Sequence, residues 1–418
     1  MCSWTVNNDL VEGSARFWVQ SWNTSGFGNW SSAMHFSVNE SSPPPAALLV
    51  GVTDEGDARP VFIWSAVSTA SWYYVWVRDS NTQSGDPRIA KWVTPQTAGC
   101  GSGTGECSWK ADIHLAEGDA TVWINTWNEA VGSGNLGPWS NGGEFTVSAP
   151  VISGYQIVSE DFTLSAGQTH FEVVYCPAGK LAVSGGILVP GSRGSLPTVV
   201  EAGYTGILNL SRLTSGWVER FTNFEKEEIN IRHRAVCIDP PVGYEVNDVQ
   251  ISLPANTHNR YDATCSQDKV VLGSGVAFES SGTRIEYTIP SSSGGVWTFG
   301  VTNTTTEQLN GAHRIICSPK PSGYENNRKE SDLSPGSFES RTNTCSDEGK
   351  SVLSGGVRPH GVFGNNNRPD LITRYNYPST VTVVGGVGLG DVLDAWATGI
   401  TNFGDESRSI IERNVCVD

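Results

Sequence analysis

Methionine occurs only twice in the 418 residues, and no run of eighteen apolar residues is found along the chain. The second absence excludes a membrane-spanning helix. Basic residues are also scarce. The 27 Lys and Arg stand against 43 Asp and Glu, a formal charge of −16 that no basic stripe offsets. Such a surface repels a polyphosphate, so nucleic acid is not expected as a partner. The opening MCSWTVNNDL has neither the basic start nor the apolar centre of a secretory signal. Patterns for a zinc protease helix, a phosphate loop, a calcium loop, a C-x-x-C pair and a haem site are missing. No G-x-S-x-G elbow accompanies a helix-forming pattern. We therefore expect no enzyme, no resident metal and no cofactor.

What is present is turn-forming and aromatic: 47 glycines, 21 prolines and 15 tryptophans. Short strands joined by turns follow, an all-β chain. Three tryptophans, Trp217, Trp297 and Trp396, each precede a cysteine by twenty residues: Cys237, Cys317 and Cys416. GWVERFTN, VWTFGVTN and AWATGITN open these segments; HRAVC, HRIIC and ERNVC close them. An earlier cysteine (Cys176, Cys265, Cys345) with a glycine-rich run and a leading GY pair complete each copy. One module is thus used three times, over residues 150–242, 243–322 and 323–418. Triplication is more usual in a spacer, fibre element or binding array than in an enzyme. The alternation of Ile229 to Cys237 marks a half-buried strand. Arg234, Arg314 and Arg413 lie on its other face, and Asn223, Asn303 and Asn402 at a turn. Residues that recur with the module are expected to build its frame.

One cysteine pair falls in each copy: Cys176 with Cys237, Cys265 with Cys317, Cys345 with Cys416. Free buried thiols are one reading. Disulfides in an oxidising, extracellular setting are the preferred one, each stabilising its small module by roughly 4 kcal/mol on the chain-entropy account. His233 and His313 share a register position that Glu412 fills in the third copy, and are expected at the surface rather than on a metal. The acidic clusters at Asp54, Glu55 and Asp57, at Glu225, Glu227 and Glu228, and at Asp405 and Glu406 read as solvated turns. Calcium binding is the alternative for them.

Twelve of the fifteen tryptophans precede residue 150, and a second duplication explains the shift. CSW at Cys2 and again at Cys107 is followed by matching segments, with Trp18 and Trp123 both sixteen residues on. A proline-rich linker at 41–47 separates the copies. The front half, PVFIWSAVSTASWYYVWVRD, occurs only in the second copy, so residues 1–40 are half a domain, as a fragment or as one completed in trans. The complete copy, residues 48–149, resembles a tryptophan-rich bacterial fibronectin type III domain in FIWSAV, WYYVWVRD, WINTWN and the closing G-x-WS and FTV. The resemblance implies a seven-stranded β-sandwich used as spacer or binding module, and no reaction. The GCGSGTGEC loop departs from that family, and Cys100 and Cys107 are expected to bond locally. Cys2 stands at the Cys107 position without a partner, a candidate for an intermolecular bridge. The three C-terminal repeats resemble cysteine- and glycine-rich modules of bacterial surface and phage fibre proteins.

Strand parity puts Tyr73, Val75 and Val77 inside the sandwich and Trp72, Tyr74 and Trp76 outside, with Trp123 and Trp127 outward on the partner strand. Trp18 and Trp22 have the same parity in the half copy. Such a face would serve packing between subunits, sugar stacking or cover by a glycan. Sequons at Asn23, Asn29, Asn39, Asn209 and Asn303 are candidate glycosylation sites. The expectation is a secreted, cell-surface structural protein, a filament subunit or adhesin stalk whose partner is itself. A carbohydrate-binding array is the alternative, and a phage tail fibre or receptor-binding protein a second one.

Overall fold

The structure, a computed structural model, describes residues 10, 13–38, 43–82, 85–129, 135–189, 199–209, 214–223, 226–346, 349–360, 371–382 and 392–418. Cys2, Asn39 and Glu225 lie outside the described residues. Those described form strands and turns, with no α-helix among them. Two compact units result: residues 1–53, 61–110 and 119–145, and residues 54–60, 111–118 and 146–418.

The half copy supplies β1 (Gly13–Phe17), β2 (Gln20–Asn23), β3 (Gly26–Trp30) and β4 (Met34–Val38). β1 pairs with β4 and β2 with β3, both antiparallel. The complete copy holds β5 (Leu49–Thr53), β6 (Val61–Ser65), β7 (Trp72–Arg78), β8 (Ile89–Val93), β9 (Glu106–Lys110), β10 (Gly118–Trp127), β11 (Leu136–Trp139) and β12 (Gly143–Val147). Strands β5, β6 and β9 make one sheet; β11, β10, β7 and β8 make the other, with β12 also on β10. Period-two alternation drives the sandwich, because it sends Phe62, Trp64, Tyr73, Val75, Val77, Val122 and Ile124 to one buried core. Trp64 and Tyr73 meet edge to face at 5.3 Å, and the Tyr73 hydroxyl accepts from Val67 N at 2.8 Å. Cys100 is bonded to Cys107. The proline-rich stretch is anchored to the sandwich: Pro44 is buried, and Thr126 Oγ1 donates to Pro45 O at 3.0 Å.

The second unit contains six strands per repeat. The first repeat has β13 (Gln156–Leu164), β14 (Thr169–Tyr175), β15 (Leu181–Leu188), β16 (Val199–Asn209), β17 (Thr214–Thr222) and β18 (Ile229–Ile238). The next has β19 (Glu245–Leu253), β20 (His258–Thr264), β21 (Lys269–Phe278), β22 (Thr283–Pro290), β23 (Val296–Asn303) and β24 (Leu309–Pro319). The last has β25 (Glu325–Leu333), β26 (Phe338–Thr344), β27 (Ser351–Pro359), β28 (Leu371–Thr382), β29 (Val392–Asn402) and β30 (Arg408–Val417). In each, the sixth strand lies between the first and third, and the fifth between the second and fourth. The constant Trp-to-Cys spacing is the fifth strand, a turn and the sixth strand. Disulfides join Cys176 to Cys237, Cys265 to Cys317 and Cys345 to Cys416, with Cα separations of 5.7, 5.7 and 5.9 Å.

The turn is fixed in the same way three times. Asn303 Nδ2 donates to Leu253 O, Pro254 O and Glu307 O at 3.1, 3.1 and 2.7 Å. Asn223 holds Leu164 O, Ser165 O and Glu227 O, and Asn402 holds Leu333 O, Ser334 O and Glu406 O. All three asparagines are fully buried. Each ties the ends of three segments together, because buried carbonyls need a donor.

The repeats are fused rather than strung. β16 pairs with β21 and β22 with β27, so sheets run from one repeat into the next. At the third junction β28 lies beside β15, which closes a ring. The same bonds mark the junctions. Arg234 Nη1 donates to Pro378 O at 2.9 Å and Arg413 Nη1 to Pro290 O at 3.0 Å. The Ser184 hydroxyl donates to Leu353 O, and that of Ser354 to Leu272 O at 2.7 Å. The second repeat has Gly273 at this position, and a Cβ there would stand 1.8 Å from Val183 O. One core follows, with Val183, Val236, Leu272, Ile315, Leu353 and Val415 drawn from all three repeats.

Candidate functional site

The outer face of β7 and β10 carries the aromatic platform. Register pairs Trp76 with Trp123 and Trp72 with Trp127, and both strands turn their aliphatic residues inward. Tyr74 is at the centre, its ring 4.6 Å from Trp92, 6.0 Å from Trp139 and 6.1 Å from Trp76. Trp139 is 6.2 Å from Trp76, and Trp92 is 6.2 Å from Trp127. Trp92 and Trp139 arrive from β8 and β11 and are not predicted by the parity of β7 and β10. The pairing of Tyr74 with Trp92 and of Asn125 with Trp139 brings them in.

These rings remain half exposed, and an open groove of about 480 Å³ lies over them. Trp76, Trp123, Trp139, Arg78, Gly85 and Ser140 line it. Arg78 lines the groove beside the indole faces, and its Nε is buried without a hydrogen-bond partner. Apolar walls with one directional polar group suit a flat, partly hydroxylated ring or a side chain from another protein. Trp18 and Trp22 are not part of this face. Trp22 lies in the β2–β3 pairing, Trp18 follows β1, and they are 66% and 48% exposed.

The other candidate residues separate by burial. Asn23 and Asn29 are exposed, and Asn23 Oδ1 accepts from Ser25 N at 2.9 Å. Asn209 ends β16. Asn303 is corrected: its nitrogen donates to three carbonyls and is fully buried, so no glycan can be attached there. His233 and His313, expected at the surface, are also buried. His313 shares a hydrogen bond with Ser274 Oγ at 2.9 Å and meets Phe299 edge to face at 4.7 Å. His233 Nε2 is 3.4 Å from a Glu219 carboxylate oxygen, and the equivalent Glu412 accepts from Thr398 Oγ1 at 2.6 Å. Burial pushes the imidazoles of His233 and His313 down to about 4 and the Glu219 carboxyl up to about 8. Among the acidic turns, Asp57 is buried and accepts from Arg59 N at 3.0 Å. Glu325, Cys345 and Cys416 cluster, but both sulfurs are in the disulfide, which removes the thiolates a soft metal would need. Among the described residues, no helix is long and apolar enough to cross a membrane.

No family model matches the chain, and no curated protein matches it. Among solved structures, the FN1–FN3 domains of chicken CNTN1 overlap with 53% of this chain and 73% of their own length. Identity is 13% and the TM-score 0.21, too slight to transfer anything. Within residues 48–149 the strands divide between two sheets, a β-sandwich.

Proposed function

We propose that the chain is an extracellular, non-catalytic structural protein: a subunit of a surface filament or an adhesin stalk that associates with itself through sandwich faces. The observation that supports it is the use made of the recurring residues. Tryptophan, asparagine, arginine and cysteine serve framing roles in a closed, disulfide-stapled ring, and four disulfides suit an oxidising, non-cytoplasmic setting. The aromatic face of β7 and β10 offers an apolar contact to a second copy. Sedimentation of the purified chain from low to high micromolar concentration tests this. Growth of assemblies that Trp76→Ser abolishes is expected, and a monomer at every concentration refutes it.

The open groove favours a second reading, recognition of a glycan by Trp76, Trp123 and Trp139 with Arg78 as donor. Titration of tryptophan emission with a polysaccharide panel distinguishes the two. Saturable quenching lost in Trp123→Ala supports the glycan, and no response across the panel removes it.

A further inference from the structure

Arg78 ends the outward row of β7, two residues beyond Trp76, and stands opposite Thr121 as Trp76 stands opposite Trp123. The concave part of the aromatic face lies at this end of the strand. Trp76, Trp123, Trp139 and Arg78 line it, and among the described residues no acid does. A lone cation therefore sits in a recess of a chain whose formal charge is −16. Ser140 cannot neutralise it, and its hydroxyl is already engaged by Ile124 N at 2.8 Å.

Other arginines show what so acidic a chain does with a guanidinium. Arg59 is 3.3 Å from Asp57, and Arg232, Arg284 and Arg314 are each 2.6 Å from Asp161, Glu286 and Asp248. Arg234 and Arg413 donate to carbonyls instead. Arg78 has neither kind of partner among the described residues. Its chain neighbour Asp79 is buried and engaged elsewhere, with Arg88 at 3.7 Å and Asn81 N at 3.1 Å. Arg78 Nε is buried, so the guanidinium has given up part of its hydration without gaining an anion, which is costly. Its two terminal nitrogens are not buried in this way and can meet a ligand.

We propose that the groove takes a hexuronate, a sugar ring carrying a carboxylate, within an acidic polysaccharide. This rests on the glycan reading of the groove and names its ligand class. The C–H face of the ring packs on the indoles of Trp76 and Trp123. The carboxylate accepts from the terminal nitrogens of Arg78, a charge-assisted pair in which a planar fork meets a planar acceptor. A neutral sugar would cover the indoles and leave the guanidinium unpaired. A small anion would pair the guanidinium and leave the indoles half exposed. A carboxylated ring answers both, and about 480 Å³ is within the usual range of small-ligand sites.

Tryptophan emission of the full chain, titrated with tetramers of galacturonate, mannuronate and glucuronate, tests this. The methyl ester of each tetramer is the control, because it keeps the ring and the chain length and removes the charge. Expected is saturable binding of at least one acid, with its ester weaker by about tenfold or more. Added salt should weaken the acid and leave the ester unchanged. Arg78→Met should bring the acid to the level of its ester, and Trp123→Ala should weaken both. The comparison of acid with ester on the unsubstituted chain stands whether or not Arg78→Met folds. Equal affinity for acid and ester overturns the proposal and leaves the glycan reading standing. Acid binding undiminished in a folded Arg78→Met chain also overturns it, by placing the carboxylate elsewhere. No response to any tetramer, acid, ester or a neutral glucose tetramer, removes the glycan reading together with the proposal.

Discussion

Asn223, Asn303 and Asn402 each satisfy three buried carbonyls with one amide nitrogen. Asn303→Ala leaves those carbonyls without that donor, and chemical denaturation should show a loss of about 3 kcal/mol. Asn303→Asp should do no better, because a carboxylate cannot donate. Glu219 gives a pH signature instead. Its folded value of about 8 lies above the ordinary 4.5, so the unfolded chain releases the proton first. Stability from this group is full below about 4.5 and falls as pH rises to about 8. His233 acts in the opposite sense, its contribution present above 6.5 and lost as pH falls toward about 4. Glu219→Gln should therefore gain in melting temperature over the wild type as pH is raised from about 5 to about 9. Parallel curves for the two proteins would contradict the assignment. The burial of His233 was legible: its strand alternates, and Ile231 and Ala235 on its face are buried with it. Strand parity, and not the general preference of histidine for exposed positions, sets its place.

At the scale of the element, the glycine-rich third strands decide how closely the repeats approach. A Cβ at Gly273 meets Val183 O at 1.8 Å, and one at Gly356 meets Thr288 O at 2.0 Å. Gly273→Ala should destabilise the second unit by about 3 kcal/mol, at the upper end of overpacking costs. Gly295→Ala is the control, because the nearest atom to its added methyl is Lys269 O at 3.7 Å. Equal melting temperatures for the two variants would sink the close-approach argument. These contacts also show where the sequence stops informing. Cysteine pairing, duplication and alternation are local and periodic, so they can be read from spacing. The approach of one backbone to another is not periodic, and neither the fused sheets nor the closing of β28 on β15 left a spacing signal. Trp92 and Trp139 eluded parity for a related reason: their strands join the face through pairing partners.

The molecule's second unit should respond as one body. Its core is drawn from all three repeats, so Cys345→Ser with Cys416→Ser should lower a single shared unfolding transition. Calorimetry resolving a separate early transition for the third repeat would show that the repeats are independent beads. The two ends of this ring meet. Pro150 O accepts from Ser322 N at 3.0 Å, and Ser322 O accepts from Asp418 N at 3.3 Å, so first and last residues share a corner. Residues 150–418 should therefore tolerate circular permutation, with 418 joined to 150 and a new start at 243. Such a permutant should refold to the melting temperature of the uncut order, since no strand has to find a new neighbour.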